Sequence, residues 1–119
     1  MSKPIGPYRP VVRAGDFLIV SGQVGLVDGH IINGGIQAEA KQAIANLRIL
    51  LESEGASLAH VVKTTCFLLH MRDFSLMNDV YTEEFANGTD ALPARSTIAV
   101  SELPARALFE IEAWAHVPT

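Results

Sequence analysis

Side chains able to do chemistry are sparse in this chain, and their spacing mostly excludes. The single cysteine, Cys66, stands among apolar residues. A nucleophilic thiolate needs a lowered pKa and access, so Cys66 reads as an inert core thiol. The four histidines, His30, His60, His70 and His116, show no paired-ligand spacing. They read as surface or strand-end residues, and no metal site is expected. Asp79 and Glu83 are i, i+4 carboxylates and read as a solvated helix face. Ser21-Gly22-Gln23-Val24-Gly25 matches neither a phosphate loop nor a dinucleotide fingerprint, and no nucleophile elbow occurs. A cation and two acids remain. Arg95 by itself reads as a surface cation pairing with Glu102. Glu110 and Glu112 alternate along a strand and share one of its faces, so spacing does not say which would act as a base.

The elements that must position these residues follow from pattern. Residues 1–10 hold Pro4, Gly6, Pro7 and Pro10 and form an extended arm. Val11-Val12-Arg13, a turn at Ala14-Gly15-Asp16 and Phe17-Leu18-Ile19-Val20 read as a hairpin whose second strand runs into Ser21-Gly22-Gln23. Asp28-Gly29 is a second turn signal before a short strand around His30-Ile31-Ile32. From about Ile36 to Glu54, Ala40, Ala43 or Ile44, Leu47, and Leu50 or Leu51 recur at helical spacing, and Gly55 follows. His60 to Leu69 reads as a strand buried on both faces. A second helix starts near Asp73, carries the stripe Phe74, Met77, Tyr81, Phe85, and ends at Asn87-Gly88. Ser96–Val100 is a strand, Leu103-Pro104 a turn, and Ala107–Val117 a last strand. The expected fold is one α+β domain over residues 1–119, a mixed sheet with both helices on one face.

Composition narrows the class. Net charge is −4 with no basic run, so a nucleic-acid partner is not expected. No apolar run approaches the roughly 20 residues of a membrane span, and the first eight residues lack the apolar core of a signal peptide. A cytoplasmic protein without a membrane partner is the expectation. Apolar residues plus glycine reach about 55%, above the roughly 45–50% of globular domains, while charged residues are only 18%. The last strand adds to this excess. Phe109, Ile111, Ala113, Ala115 and Val117 fill one face, whereas Leu108, Glu110, Glu112, Trp114 and His116 fill the other. Leu and Trp among polar residues suggest a face covered by a neighbouring subunit.

Five strings then occur in order: Ile5-Gly6-Pro7-Tyr8, Val20-Ser21-Gly22-Gln23, Val62-Lys63-Thr64-Thr65, Pro93-Ala94-Arg95-Ser96 and Glu110-Ile111-Glu112-Ala113. Together they resemble the Rid/YjgF family of reactive-intermediate deaminases, from about Ile5 to Val117. The resemblance implies a chorismate-mutase-like α+β fold and a homotrimer with active sites between subunits. It implies hydrolysis of enamines and imines such as 2-aminoacrylate and 2-iminopropanoate to 2-keto acids and ammonia. No cofactor is implied; pyridoxal-phosphate enzymes that make such substrates are other chains.

The resemblance also assigns roles. Arg95 would hold the substrate carboxylate, for which a planar guanidinium is suited. Glu110 would position or deprotonate water, with Glu112 left as a structural neighbour. Backbone near Gly22 and Thr97 would line the pocket. Tyr8 and Ser21 match positions close to the ligand, although Tyr8 could equally pin the arm and Ser21 satisfy backbone. Three features depart from the family's usual pattern: Arg9-Pro10 after Gly-Pro-Tyr, a short segment after Gln23, and Trp114 where a smaller aliphatic residue is expected. The alternative function is a non-catalytic trimer that binds small carboxylates or shields unfolded clients. The ribonuclease label attached to the family is opposed by the charge.

Overall fold

The computed structural model describes residues 6–86 and 91–119. Strands β1 (Val11–Ala14) and β2 (Phe17–Val24) form the first hairpin, closed by a two-residue turn with Gly15 at φ 59°. β3 (Leu26–Val27) and β4 (His30–Ile31) form a minimal second hairpin. Asp28 and Gly29 both take positive φ at its turn, the mirror-image geometry that matches strand twist. Helix α1 (Gly35–Ser53) leads to β5 (Val61–Leu68), then α2 (Phe74–Ala86), β6 (Ala94–Ala99) and β7 (Phe109–His116). The main sheet has the order β1-β2-β7-β5-β6; β5 and β6 run parallel and the other pairs antiparallel. This is the α+β arrangement of two helices on one mixed sheet.

The covered face is continuous. Leu18, Val20, Cys66, Leu68, Phe109, Ile111, Ala113 and Ala115 pack against Ile36, Ala40, Ala43, Ile44, Leu47 and Leu51 of α1 and Met77, Tyr81 and Phe85 of α2. All are buried, so each helix presents its 3.6-residue stripe as the sequence predicts. The polar group at the centre of this core is Thr64, whose hydroxyl lies 2.7 Å from the Tyr81 hydroxyl.

Three expectations need correction. β5 is not buried on both faces within the chain: Thr64, Cys66 and Leu68 are buried, but Lys63, Thr65 and Phe67 are half-exposed. Both helices occupy the same side, and no other element covers the second. Phe74 is not a core residue; it is 37% exposed at the start of α2. β6 starts at Ala94, two residues early, because Pro93 delivers an extended chain straight into parallel register with Lys63. The Asn87-Gly88 end of the second helix lies outside the described residues.

One buried acid was missed. Glu39 is 5% exposed on α1, and its Oε1 accepts a 2.8 Å hydrogen bond from the Leu108 N–H at the start of β7. The signal was present: Ile36, Glu39 and Ala43 are spaced three and four apart on the apolar stripe.

Candidate active site

Glu110 sits in β7 on the sheet face that the helices leave open. Its cross-strand neighbour Phe67 shares that face, while Ile111 beside it points into the core. A bulge in β2 makes room for it. Between the pairs Val20–Ala113 and Gln23–Ile111, β2 spends three residues where β7 spends two. Gly22 lies in this bulge. A Cβ built on Gly22 would stand 2.5 Å from Glu110 Oε2 and 2.7 Å from its Cδ. The glycine is therefore the floor on which the carboxylate rests. Burial pushes the Glu110 carboxyl above its ordinary range, and the nearby charge of Glu112 pushes it further. No donor among the described residues bonds the carboxylate. A half-buried acid whose pKa is raised by desolvation and a like charge has the character of a general acid–base.

Arg95 lies elsewhere. It pairs in register with Thr64 and so projects to the helix side of the sheet, from edge strand β6. Its guanidinium carbon sits 4.7 Å from the centroid of the Tyr81 ring and 5.5 Å from that of Phe74. The expected partner Glu102 does not pair with it, and no ion pair to Arg95 occurs among the described residues. Thr97, two residues on and on the same face, keeps its Oγ1 buried without a hydrogen-bond partner, as does Asn78 Oδ1 on α2. The sequence reading missed Asn78 and gave Phe74 and Tyr81 only packing roles. The spacing 74, 78, 81 along one side of a helix was the available signal.

Ser21 belongs to the open side. The Ser21 hydroxyl donates to the Arg9 carbonyl at 2.6 Å, and its N–H to the Pro10 carbonyl at 2.9 Å. It satisfies backbone and pins the arm to the bulge beside Gly22. Tyr8 is 46% exposed on that arm. The segment after Gln23 is held by Asn46, whose Nδ2 donates to the Val24 and Leu26 carbonyls. Cys66 is buried and its thiol is pushed up to about 11 by burial, as an inert thiol should be. Among the described residues, no group of three His, Cys, Asp or Glu could hold a metal, and no helix is long and apolar enough to cross a membrane.

The structure thus brings Gly22, Ser21, Glu110 and Glu112 together on one face, and Arg95 and Thr97 on the other. Two strand spacings, about 10 Å, and the thickness of the sheet separate Glu110 from Arg95 within a chain.

The family model described as endoribonuclease L-PSP matches residues 1–117. The chain belongs to this family, the Rid/YjgF group whose strings it carries. A RutC family protein of Pyrococcus horikoshii is 42% identical over 116 residues, covering 96% of this chain and 90% of the relative. The 2-iminobutanoate/2-iminopropanoate deaminase of Mus musculus is 42% identical over 111 residues, covering 92% and 80%. The crystal structure of the YjgF gene product of Escherichia coli superposes with a TM-score of 0.89 at 34% identity, covering 95% of this chain and 90% of that one.

Proposed function

We propose that this chain is a cytoplasmic deaminase of 2-imino and 2-enamino acids, working at sites shared between copies of itself. Glu110 carries the proposal: a half-buried carboxylate, raised in pKa and seated on Gly22, in a chain similar to named imino-acid deaminases. Arg95 holds the substrate carboxylate. An enamine first takes a proton at its β-carbon to become the iminium, the protonated form of the imine. Water then adds to the C=N carbon while Glu110 accepts a proton from it. Glu110 passes that proton to the nitrogen of the resulting carbinolamine and returns to its carboxylate; the C–N bond breaks and ammonia leaves with the electron pair. The hydroxyl proton is lost to solvent as the ketone forms. The imine is already electrophilic, so one anion anchor and one base suffice; no cofactor is invoked.

A single chain cannot present Arg95 and Glu110 to one small substrate, since they occupy opposite faces of the sheet. A second copy seated on the open face would bring the edge of its β6 toward Glu110. Apolar side chains on that face favour this: Val12, Ile98 and Trp114 are 38%, 47% and 45% exposed. Phe17 packs its ring edge-on to Trp114 at 5.9 Å. A homotrimer is the assembly proposed.

The test is turnover of 2-iminopropanoate generated in situ, with residual imine trapped by semicarbazide. Arg95→Ala and Glu110→Gln should each lower the rate by about 10²–10⁴. Equal rates for wild type and both variants overturn the mechanism. Co-assembled Arg95→Ala and Glu110→Gln chains should regain about a quarter of wild-type activity, because random closed rings rebuild that share of two-chain sites. No recovery from a mixed assembly would place both residues in one chain's site.

A further inference from the structure

We propose that Tyr81 and Phe74 form an aromatic shelf that preorganises Arg95 to grip the substrate carboxylate, with Tyr81 and Phe74 acting as positioning residues. The inference rests on the deaminase reading of Arg95 given above. It starts from where this guanidinium is held. Most partly buried arginines are fixed by a carboxylate, which occupies the donors. Among the described residues Arg95 has no such partner, and two rings hold it instead, at 4.7 and 5.5 Å. A ring attracts the cation without supplying a negative oxygen, so the N–H donors are not spent.

The shelf is itself anchored. The Tyr81 hydroxyl is 2.7 Å from the hydroxyl of fully buried Thr64, and its ring stacks on Phe85 at 4.5 Å between centroids. Thr64 is the β5 residue in register with Arg95. Backbone register and side-chain stacking thus converge on one position for the guanidinium. Phe74 completes the shelf from the first turn of α2, which explains why an aromatic residue stays 37% exposed there. Two further atoms near this layer, Asn78 Oδ1 and Thr97 Oγ1, are buried without partners, so neither is committed elsewhere.

Two features of Tyr81 separate function from stability. Its ring serves Arg95; its hydroxyl serves the core through Thr64. The experiment measures pyruvate binding by calorimetry, imine kinetics and melting temperature for Tyr81→Phe, Tyr81→Leu, Phe74→Leu and Arg95→Ala. Tyr81→Phe keeps the ring and should bind pyruvate within about twofold of wild type, while melting lower. Tyr81→Leu should weaken pyruvate and raise KM by about tenfold, with kcat changed much less. Phe74→Leu, on a half-exposed position that leaves the core intact, should weaken binding by about threefold. If Arg95→Ala loses pyruvate binding but Tyr81→Leu and Phe74→Leu bind as wild type, the shelf is overturned and the deaminase reading stands. If Arg95→Ala binds pyruvate as wild type does, the carboxylate role of Arg95 fails, and the shelf with it.

Discussion

The two faces of the sheet solve different problems. The helix side is closed: its strand and helix residues are buried, and its central polar pair, Thr64 and Tyr81, is mutually satisfied. The open side mixes Phe17, Ile19, Phe67 and Trp114 with Lys63, Glu110, Glu112 and His116, most of them half-exposed. Each side holds an acid whose pKa is raised chiefly by desolvation. Glu39, inside, spends its charge on the Leu108 N–H and thereby fixes where β7 begins. Glu110, outside, has no such bond among the described residues, and its carboxylate lies in the space that a side chain on Gly22 would fill. The closed face stores stability. The open face leaves Glu110 without a hydrogen-bond donor among the described residues, beside apolar side chains such as Trp114 that stay exposed.

Truncating one large residue on each face should expose this division most strongly. Phe85→Ala on the closed face should cost about 3–5 kcal/mol in denaturant unfolding, the usual price of a large core cavity. Trp114→Ala on the open face should leave intrachain stability within about 1 kcal/mol. Its effect should appear in sedimentation, as a shift from trimer toward monomer at micromolar protein. A Trp114→Ala protein that unfolds as readily as Phe85→Ala, with an unchanged sedimentation coefficient, would erase the distinction between the faces.

Glycines at close approach give a smaller and sharper contrast. A Cβ on Gly25 would stand 2.9 Å from the Glu39 carbonyl oxygen and 3.0 Å from its Cα, both backbone of α1. The atoms nearest a Cβ on Gly22 would be those of the movable Glu110 side chain. Gly25→Ala must push a helix off the sheet and should cost about 1–3 kcal/mol, the range of overpacking. Gly22→Ala should be nearly neutral in melting temperature, yet lower imine turnover by roughly tenfold because the base is displaced. Loss of stability without loss of turnover in Gly22→Ala would show that Glu110 is not the group it positions.

Much of the closed face was legible beforehand because it follows from periodicity. Ala40, Ile44, Leu47 and Leu51, or Met77, Tyr81 and Phe85, need only a helix with one apolar stripe. The open face was legible in part: the alternation Glu110, Glu112, Trp114, His116 placed those residues on one face before any coordinates. What periodicity could not supply was geometry across elements. The β2 bulge shifts pairing by one residue, and nothing in Ser21-Gly22-Gln23 states which way. That Arg95 faces the helices depends on its register with Thr64, a contact between segments some thirty residues apart. The resemblance implied sites shared between subunits; what it did not give is the register that places Arg95 and Glu110 on opposite faces within one chain. Glu39 was passed over because an acid on an apolar stripe looks like a break in pattern, when it is the acceptor a buried N–H requires.

The smallest expected effect concerns the charge on Glu110, and its sign is opposite to that of the activity loss. The folded chain raises this carboxyl above its ordinary value of 4.5. A group raised in the folded state contributes stability at pH below its unfolded pKa and loses that contribution as pH rises through the folded value. At pH above its ordinary value the carboxyl therefore favours unfolding, through its desolvation and the nearby charge of Glu112. Glu110→Gln removes the charge and keeps the shape. It should melt slightly higher than wild type at pH 7, and the difference should shrink as the pH is lowered through and below the ordinary value of 4.5, where Glu110 becomes protonated in both states. Paired melting curves from pH 4 to 8 cancel the titration of the other carboxylates, which the two proteins share. Glu39→Gln is the internal control, because its carboxyl is raised too but its oxygen still has Leu108 to satisfy. A Glu110→Gln protein that melts lower than wild type at pH 7 would mean that the negative charge is held by a favourable partner. The open face would then be built to stabilise its acid rather than to keep it reactive.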